Sequence, residues 1–286
     1  MSDLESIDVL HVDQPRVICC HKVGGDLIDP GPTASVQTLL DALGDEVPRR
    51  LLLTHIHLDH AGAAGWLVRR WPHLEVWVSE IGAPHLADPS KLIASATRLY
   101  GEDMDRLWGE IAPVPEANIR VLSGGEAIDG WRVEPTPGHA SHHVAYLRED
   151  EGWAFVGDVA GVRVIPGLIT PPTPPPDVDL EAWQRSLDVV ESWTPSLLAL
   201  THFGVYEDVG EHIERLRGAI AAWSDLSRVT DAAGFAAALR AAASSAAGPE
   251  MQRAIAGAVP PEQQWAGLDR YWRKRAEREA EAQAAS

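Results

Sequence analysis

Four side chains of the kinds that bind metal ions occur within six residues, in the segment 54–62, THIHLDHAG. In an extended backbone, residues two apart lie on the same face, so His55, His57 and Asp59 can point in one direction. His60 lies where the chain is expected to turn into a helix, and it can approach from another angle. Imidazole and carboxylate groups are ligands for zinc and similar metals. Because one tetrahedral ion seldom takes so many ligands from one loop, the pattern predicts two adjacent ions.

Further motifs occur along the chain in an order that is typical of one family. The sequence resembles the metallo-β-lactamase-fold hydrolase superfamily, whose signature H-x-H-x-D-H is found at residues 55–60. The family also has a T-P-G-H segment, a G-D after a later strand, a final His after another apolar strand, and a D-x-G turn. The corresponding residues here are Thr136-Pro137-Gly138-His139, Gly157-Asp158, His202 and Asp29. The resemblance extends over residues 16–204.

The resemblance implies a fold and a set of metal ligands. The expected fold class is α/β, an αββα sandwich (the metallo-β-lactamase fold) with a helical C-terminal extension. Residues 1–205 would form the catalytic domain, and residues 206–286 would form a helical extension packed on it. Seven side chains would hold two metal ions: His55, His57 and His139 the first, Asp59, His60 and His202 the second, with Asp158 bridging the two.

Four other side chains are candidates for contacts around the metals or with a substrate. The family's T-P-G-H often continues to G-H, and His143 matches that His. His142 stands where glycine is usual, so it either adds a contact near the site or is an ordinary packed or solvated residue. Asp29 belongs to the D-x-G turn. Tyr206, four residues after His202, could reach a substrate oxygen or pack in the core.

Two ions in such a site would supply a nucleophile at neutral pH. Divalent ions ~3.5–4 Å apart share a water and lower its pKa towards about 7. The signature looks like that of glyoxalase II thioesterases and of lactonases, which implies that a metal-bridging hydroxide attacks an ester, thioester or lactone carbonyl. Asp59 is the candidate catalytic residue, because it can orient the hydroxide and shuttle its proton. The expected cofactors are two divalent ions, with zinc preferred and iron or manganese as alternatives.

Other activities within the superfamily stay open at this point. Persulfide dioxygenases use one iron held by two His and an Asp, and the second-metal residues can persist around a single ion. A phosphodiesterase of the same fold would share the second-metal ligands. The basic residues with which glyoxalase II contacts glutathione have no match here, so recognition of glutathione is not predicted. A non-catalytic binding protein would be expected to lose a ligand, and none is missing.

Composition sets the expectations about partners and compartment. The chain has 24 Lys and Arg against 42 Asp and Glu, a net charge of −18, which disfavours nucleic acid and favours a small-molecule substrate. No stretch approaches the ~20 apolar residues that span a membrane. Residues 1–5 lack the basic and apolar parts of a signal peptide. The two cysteines, Cys19 and Cys20, are adjacent, which fits a reducing compartment, so a cytoplasmic location is expected. The 11 Trp could line a partner interface as easily as a core, which leaves a homodimer open.

Residue periodicity predicts the elements that carry these side chains. Strands are predicted at 7–12, 16–23, 51–53, 74–79, 119–122, 131–135, 143–147, 153–157 and 197–200. Helices are predicted at 33–43, 63–71, 180–193, 209–223, 231–246 and 261–283, and the strand–helix–strand alternation is expected to run to about residue 108. The loop 166–176 contains six prolines and is predicted to be stiff and extended. It would either lie over the metal cleft, where with Trp183 it could shape an apolar acyl pocket, or act as a rigid crossover.

Overall fold

Two six-stranded β-sheets carry the fold, and the computed structural model describes residues 4–284. The N-terminal segment 1–5 was expected to lack a signal peptide, and its residues 1–3 lie outside the described residues. The strands are β1 (Leu4–Asp8), β2 (Cys19–Val23), β3 (Asp26–Ile28), β4 (Arg50–Leu52), β5 (Glu75–Ser79), β6 (Ile119–Leu122), β7 (Glu126–Ile128), β8 (Trp131–Pro135), β9 (Val144–Arg148), β10 (Trp153–Phe155), β11 (Leu197–Leu200) and β12 (Gly204–Tyr206). The helices are α1 (Val36–Leu43), α2 (Leu58–Ala61), α3 (Ala64–Arg70), α4 (Ala83–Ala87), α5 (Ser90–Tyr100), α6 (Met104–Trp108), α7 (Leu180–Ser192), α8 (Val209–Val229), α9 (Ala232–Ala246), α10 (Pro249–Ala258) and α11 (Pro261–Ala284).

Each sheet combines antiparallel and parallel pairs. The first has the order β1-β2-β3-β4-β5-β6, and its strands β3 to β6 pair in parallel. The second has the order β12-β11-β10-β9-β8-β7, and in it only β10 and β11 are parallel. Parallel neighbours need crossover connections. Helix α1 connects β3 to β4, α2 and α3 connect β4 to β5, and α7 precedes β11.

Alternate residues of the central strands face different parts of the core, because successive side chains of a strand point to opposite faces. In β4, Leu51 packs with the side chains of α1 and α3, whereas Leu52 packs between the two sheets. In β11, Leu198 packs with α7 and α8, whereas Ala199 faces the first sheet. The result is an αββα sandwich with a helical C-terminal region, which confirms the predicted fold class.

The first region that differs from the prediction is the N-terminal one. Strand β1 ends at Asp8 and does not continue to residue 12. Leu10 and Val12 have positive φ angles of 48° and 47°, and His11–Asp13 form a short turn of 3-10 helix. Positive φ is incompatible with a strand, so the apolar residues here do not extend the sheet.

A second difference concerns the segment between β5 and β6, where the alternation with strands was expected to continue. Within the described residues this segment contains only helices, α4 to α6, and two 3-10 turns, at Gly101–Asp103 and at Glu116–Asn118. The reason is helical periodicity: Leu92, Ala96 and Tyr100 lie four residues apart in α5 and pack against Trp108.

The C-terminal region contains one more helix than predicted. Helix α8 runs to Val229, beyond the predicted end at residue 223, and α10 was not predicted. Gly248 caps α10 and Pro249 is its first residue, so α10 begins as a separate helix after α9 ends at Ala246. Ala243 and Ile255 of these helices belong to the same core cluster as Leu51 of the first sheet. The division at residue 205 stays a prediction. No helix among residues 4–284 is long and apolar enough to cross a membrane.

Candidate metal centre

The segments that follow five strands meet at one edge of the sandwich and bring the predicted ligands together. They follow β3, β4, β8, β10 and β11, and carry Asp29, residues 55–60, His139, Asp158 and His202 respectively. Strand ends are suited to this task because the sheets fix the backbone just before each ligand.

A first group of donors consists of three imidazoles. The ligand atoms of His55, His57 and His139 lie within 4.8 Å of one another. The Nδ1 atom of His57 lies 2.9 Å from Nε2 of His55 and 3.0 Å from Nε2 of His139. His57 is half-buried, and the other two are buried. Three neutral nitrogens around one point form a ligand set that suits zinc and related ions.

A second group combines a carboxylate with two imidazoles. Asp59, His60 and His202 place their ligand atoms within 4.8 Å of one another. The Oδ2 atom of Asp59 lies 3.2 Å from Nε2 of His202 and 3.8 Å from Nε2 of His60. Asp59 is the most exposed of the three, with 22% of its side chain accessible, so it faces the cleft described below.

Asp158 lies between the two groups. Its Oδ2 atom is 3.3 Å from Nε2 of His139, and its Oδ1 atom is 3.4 Å from Nε2 of His60. One carboxylate therefore directs one oxygen at each group, which is the arrangement needed to bridge two ions.

Hydrogen bonds fix which nitrogen of each ring is free to bind a metal. The Nδ1 atom of His139 lies 2.8 Å from the carbonyl oxygen of Pro172, and that of His202 lies 2.5 Å from the carbonyl oxygen of Val17. The Nδ1 atom of His60 lies 2.8 Å from Oδ2 of Asp29. Carbonyl and carboxylate oxygens only accept, so Nδ1 must carry the hydrogen in all three rings. When neutral, each ring directs the lone pair of Nε2 into the cluster.

Asp29 is the acceptor around which several of these contacts are organised. Its Oδ1 accepts from the backbone N–H of Thr54 at 2.8 Å, and its Oδ2 accepts from the hydroxyls of Thr54 and Thr201, each at 2.7 Å. Since the hydroxyl hydrogen of Thr54 is used in this way, its oxygen can accept from Nδ1 of His55, 3.1 Å away. Asp29 thus orients His60 directly and His55 through Thr54, so it holds two of the ligand rings in place.

Burial and charge shift the pKa values of the cluster in opposite directions. Burial lowers the pKa of His55, His57 and His139, which keeps these rings neutral. Burial also opposes protonation of His60, but the attraction of Asp59 and Asp158 raises its pKa well above the usual value. Burial opposes ionisation of Asp158, yet its neighbours His139 and His60 hold its pKa well below the usual range.

Three buried polar atoms of the cluster have no hydrogen-bond partner among the described residues. They are Nε2 of His60, Nε2 of His202 and Oδ1 of Asp158. Leaving such atoms unsatisfied in the interior is costly. A metal ion accepts all three as ligands, so the donor set fits the ions that the motif predicts.

The two residues after Ser141 have different surroundings. His143 accepts from the backbone N–H of Asp158 at 3.2 Å and bonds with Thr136 at 2.8 Å, so it holds the loop that carries Asp158. The Gly157 backbone approaches this ring so closely that a Cβ atom would lie 2.8 Å from its Nε2. His142 lines the cleft, and burial lowers its pKa to about 4. Its Nδ1 is 3.5 Å from the backbone nitrogen of Ile56.

Other candidates lie away from the cluster. The hydroxyl of Tyr206 donates to the carbonyl oxygen of Arg163 at 2.8 Å, and the ring is not among the residues that line the cleft. Trp183 is also absent from the cleft; it is fully buried, and its indole N–H donates to the carbonyl of Val159. His21, His73 and His212, which have no ligand-like spacing, each place a ring nitrogen within hydrogen-bond distance of a backbone carbonyl. His11, another of this kind, stacks on Trp108, whereas His85 lines the cleft.

A cleft of about 250 Å³ opens onto His57, Asp59, His139 and Asp158. Four residues of the proline-rich loop form part of its wall, so this loop does border the cluster: Pro172, Pro174, Pro175 and Pro176. The opposite wall is largely apolar and includes Leu58, Leu92, Ala96, Leu99, Tyr100 and Trp108. Residues from the start of α11, including Gln263 and Gln264, close a third side. The walls formed by α5 and α11 were not predicted from the sequence, because a helical pattern does not indicate which part of the protein the helix contacts.

Comparison with known proteins agrees with this geometry. A model of the metallo-beta-lactamase superfamily matches residues 17–202, which include every predicted metal ligand. The metallo-beta-lactamase fold-containing protein ST1585 of Sulfurisphaera tokodaii is 28% identical over 229 residues, 74% of this chain and 84% of that protein. A hydroxyacylglutathione hydrolase of Legionella pneumophila is 27% identical over 154 residues, 52% of this chain and 50% of that enzyme.

Solved structures share the fold. The crystal structure of ST1585, there described as from Sulfolobus tokodaii, has a TM-score of 0.71 at 22% identity and covers 94% of this chain and 99% of that one. The structure of TTHA1623 in a di-iron-bound form has a TM-score of 0.51 at 25% identity and covers 73% of this chain and 91% of that one.

Proposed function

This chain belongs to the metallo-beta-lactamase superfamily, and from that membership we propose that it is a dinuclear metal hydrolase that cleaves an ester, thioester or lactone. The observation that carries the proposal is the arrangement of two donor groups on either side of Asp158. Each group offers three ligand atoms within 4.8 Å of one another, and Asp158 directs one oxygen at each. One ion would leave several buried donors without a partner, whereas two ions would use them all.

In this proposal the chain's residues have separate roles. His55, His57 and His139 would hold one ion, Asp59, His60 and His202 the other, with Asp158 shared. Two bound divalent ions would activate a water for attack on a carbonyl and stabilise the charge that develops there. Asp59 is the residue that would accept and deliver the proton, because it is a carboxylate of the cluster that is also accessible from the cleft.

The cleft supports a substrate with an apolar acyl portion. Its wall opposite the proline-rich loop carries Leu92, Leu99 and Trp108, and Lys91 is the basic side chain other than histidine on the lining. The net charge of −18 favours a small molecule over nucleic acid. The likeness to a hydroxyacylglutathione hydrolase supports a thioester as one member of this class. We propose zinc as the native metal, with iron or manganese as alternatives, and a cytoplasmic location.

Metal analysis followed by a substrate panel tests the proposal. The protein is purified without added metal, its zinc, iron and manganese contents are measured, and it is assayed with thioesters, lactones and phosphodiesters of graded acyl length. We expect close to two ions per chain and hydrolysis of the carbonyl substrates. Asp59→Asn should lower turnover far more than it lowers the content of the metal held by His55, His57 and His139.

Other results would contradict this proposal in distinguishable ways. One iron per chain together with oxygen consumption would indicate a dioxygenase, and turnover of phosphodiesters alone would indicate a phosphodiesterase. Asp158→Ala and His57→Ala variants that kept both metal content and hydrolysis would remove its basis. Asp26→Asn is the matched control, because Asp26 is as buried as Asp158 but pairs with Arg50 and belongs to neither donor group.

A further inference from the structure

We propose that Gln264 of the C-terminal helix α11 positions the metal ligand His139 by holding the proline-rich loop, and so sets the affinity of one of the two metal positions. The inference rests on the proposed metal centre, because it assigns a role toward an ion held by His139. It gives the C-terminal helices a function at the site, although they contribute no metal ligand.

The first contact in this chain of interactions is between His139 and the loop. Nδ1 of His139 donates to the carbonyl oxygen of Pro172 at 2.8 Å, and His139 is 1% exposed. This bond fixes both the rotation of the ring and the position of its hydrogen, so Nε2 is directed at His57 and Asp158. A displacement of the Pro172 carbonyl would therefore turn the ring or remove the acceptor that keeps the ring hydrogen on Nδ1.

The second contact joins the loop to α11. Thr173, the residue after Pro172, donates its backbone N–H to Oε1 of Gln264 at 2.5 Å, and its hydroxyl donates to the backbone carbonyl of Gln264 at 3.0 Å. Gln264 is 2% exposed, and its Nε2 donates to the carbonyl of Pro260 at 3.1 Å. Both the oxygen and the nitrogen of the Gln264 amide are thus hydrogen-bonded, which fixes the amide in one orientation.

The composition of the loop makes this contact unusually important. Residues 171–176 read PPTPPP, and since proline has no backbone N–H, Thr173 supplies the only backbone donor of these six residues. Oε1 of Gln264 accepts the hydrogen bond from this N–H group. The segment can form no β-ladder of its own, so its position depends on the few bonds that others make to it.

The close approach of the helix supports the same conclusion. A Cβ atom at Gly267 would lie 2.1 Å from the carbonyl oxygen of Thr173, so only glycine lets α11 reach the loop here. Three residues further along, Nε of Arg270 donates to the carbonyl of Pro176 at 3.2 Å. One face of α11 therefore contacts the loop at Thr173 and again at Pro176.

The test compares metal affinities in full-length variants. Gln264→Leu removes the acceptor at nearly constant volume, and Gln264→Glu keeps an oxygen for Thr173. Gln263→Leu is the matched control, since it changes the same residue type one position away and makes no bond to Thr173. Stepwise zinc dissociation constants are measured by competition with a chromophoric chelator, and cobalt absorption spectra report on imidazole ligation. Melting of the metal-free proteins checks that the variants fold.

We expect Gln264→Leu to weaken one of the two zinc constants by about 10-fold, the lower end of the range for loss of an outer contact to a ligand, because Gln264 acts on His139 only through the loop. The other constant, which belongs to the group with His202, should not change, and Gln264→Glu should recover part of the loss. Should Gln264→Leu fail to fold, Thr173→Val replaces it; this variant loses only the hydroxyl bond, and a weakening of about fivefold is expected from one neutral hydrogen bond.

Three outcomes would overturn the inference. Gln264→Leu, or Thr173→Val in its place, could bind both ions as tightly as the parent protein. Gln263→Leu could weaken binding as much as Gln264→Leu, which would indicate a general effect of the helix. A parent protein that bound no metal would refute the proposed function itself, and this result is distinct because it appears before any variant is compared.

Discussion

Replacing Asp29 by Asn should lower both the stability of the metal-free fold and the affinity of one metal position. In the native protein Oδ2 of Asp29 accepts three hydrogen bonds, from the hydroxyls of Thr54 and Thr201 and from Nδ1 of His60. In the Asn variant an NH2 group occupies one carboxylate position, and the backbone N–H of Thr54 keeps the remaining oxygen at the other. The NH2 group would then face three groups that now donate to Asp29.

Two of these three conflicts can be relieved. The hydroxyls of Thr54 and Thr201 can rotate and accept from the new NH2 group. His60 cannot adapt in this way, because two N–H groups would face each other unless its hydrogen moves to Nε2. That move would block the nitrogen which otherwise faces Asp59 and Asp158.

The expected magnitudes follow from this single unrelieved conflict. The loss of one charge-assisted hydrogen bond should lower the free energy of unfolding by about 1.5–3 kcal/mol in the metal-free protein. The wrong tautomer of His60 should weaken the second zinc position by about 10- to 100-fold. The zinc affinity of the position held by His55, His57 and His139 should change less, since the rotated Thr54 hydroxyl can still accept from Nδ1 of His55.

Denaturant unfolding of the metal-free protein and stepwise zinc titration measure the two effects separately. Asp26→Asn is a stringent control, because Asp26 lies in β3, the strand that Asp29 directly follows, is also buried, and bonds with Arg50 at 2.8 Å through both carboxylate oxygens. Breaking that buried pair should cost about 3–5 kcal/mol without any change in zinc affinity. If Asp29→Asn bound both ions as the parent does, or if Asp26→Asn lost affinity equally, the assignment of Asp29 as the orienting group would be wrong.

Three further predictions concern pH and the cleft. Carboxylates raise the pKa of His60 and His202 in the metal-free cluster, so protons compete with metal below those raised values. Zinc affinity should therefore rise with pH until the pH exceeds those raised pKa values. Calorimetry in buffers of different ionisation enthalpy should detect the protons that zinc binding releases, and an affinity independent of pH would contradict the prediction. His142→Gly should keep both ions but change KM, measured by steady-state kinetics, and loss of an ion would show that His142 supports the metals. Leu99→Lys should raise KM for long acyl chains more than for acetyl esters, and equal effects would argue against an apolar acyl site.

Much of the centre could be predicted from sequence because its ligands occur in short local patterns. The spacing of His55, His57 and Asp59 needs only the geometry of an extended segment, and the structure brings these donors together with His139 and His202 as the motifs imply. Short runs of apolar residues located the central strands at 51–53 and 197–200 for the same reason, since such a run is a local property. Asp29 was placed beside the ligands by its turn motif, although its four hydrogen bonds were not predictable.

Predictions that depended on contacts distant in sequence were less successful. Tyr206 is close to His202 in the chain, but its hydroxyl is turned to the carbonyl of Arg163, because β12 runs back beside β11 away from the cluster. Helix α10 was also not predicted, although Pro249 stands at its first position, where proline is favoured.

The sequence by itself identified the donors of residues 55–60 from their types and short spacing, and its ordered motifs implied, through the family resemblance, the grouping of the ligands and the αββα class. The tertiary structure decided which nitrogen of each imidazole is free, because that depends on acceptors such as the carbonyls of Pro172 and Val17. It also decided what surrounds the metals: α5 and α11 form walls of the cleft, and Gln264 reaches the loop that holds His139 from 125 residues along the chain. Such contacts form only when distant segments pack together, and no local pattern of residues encodes them.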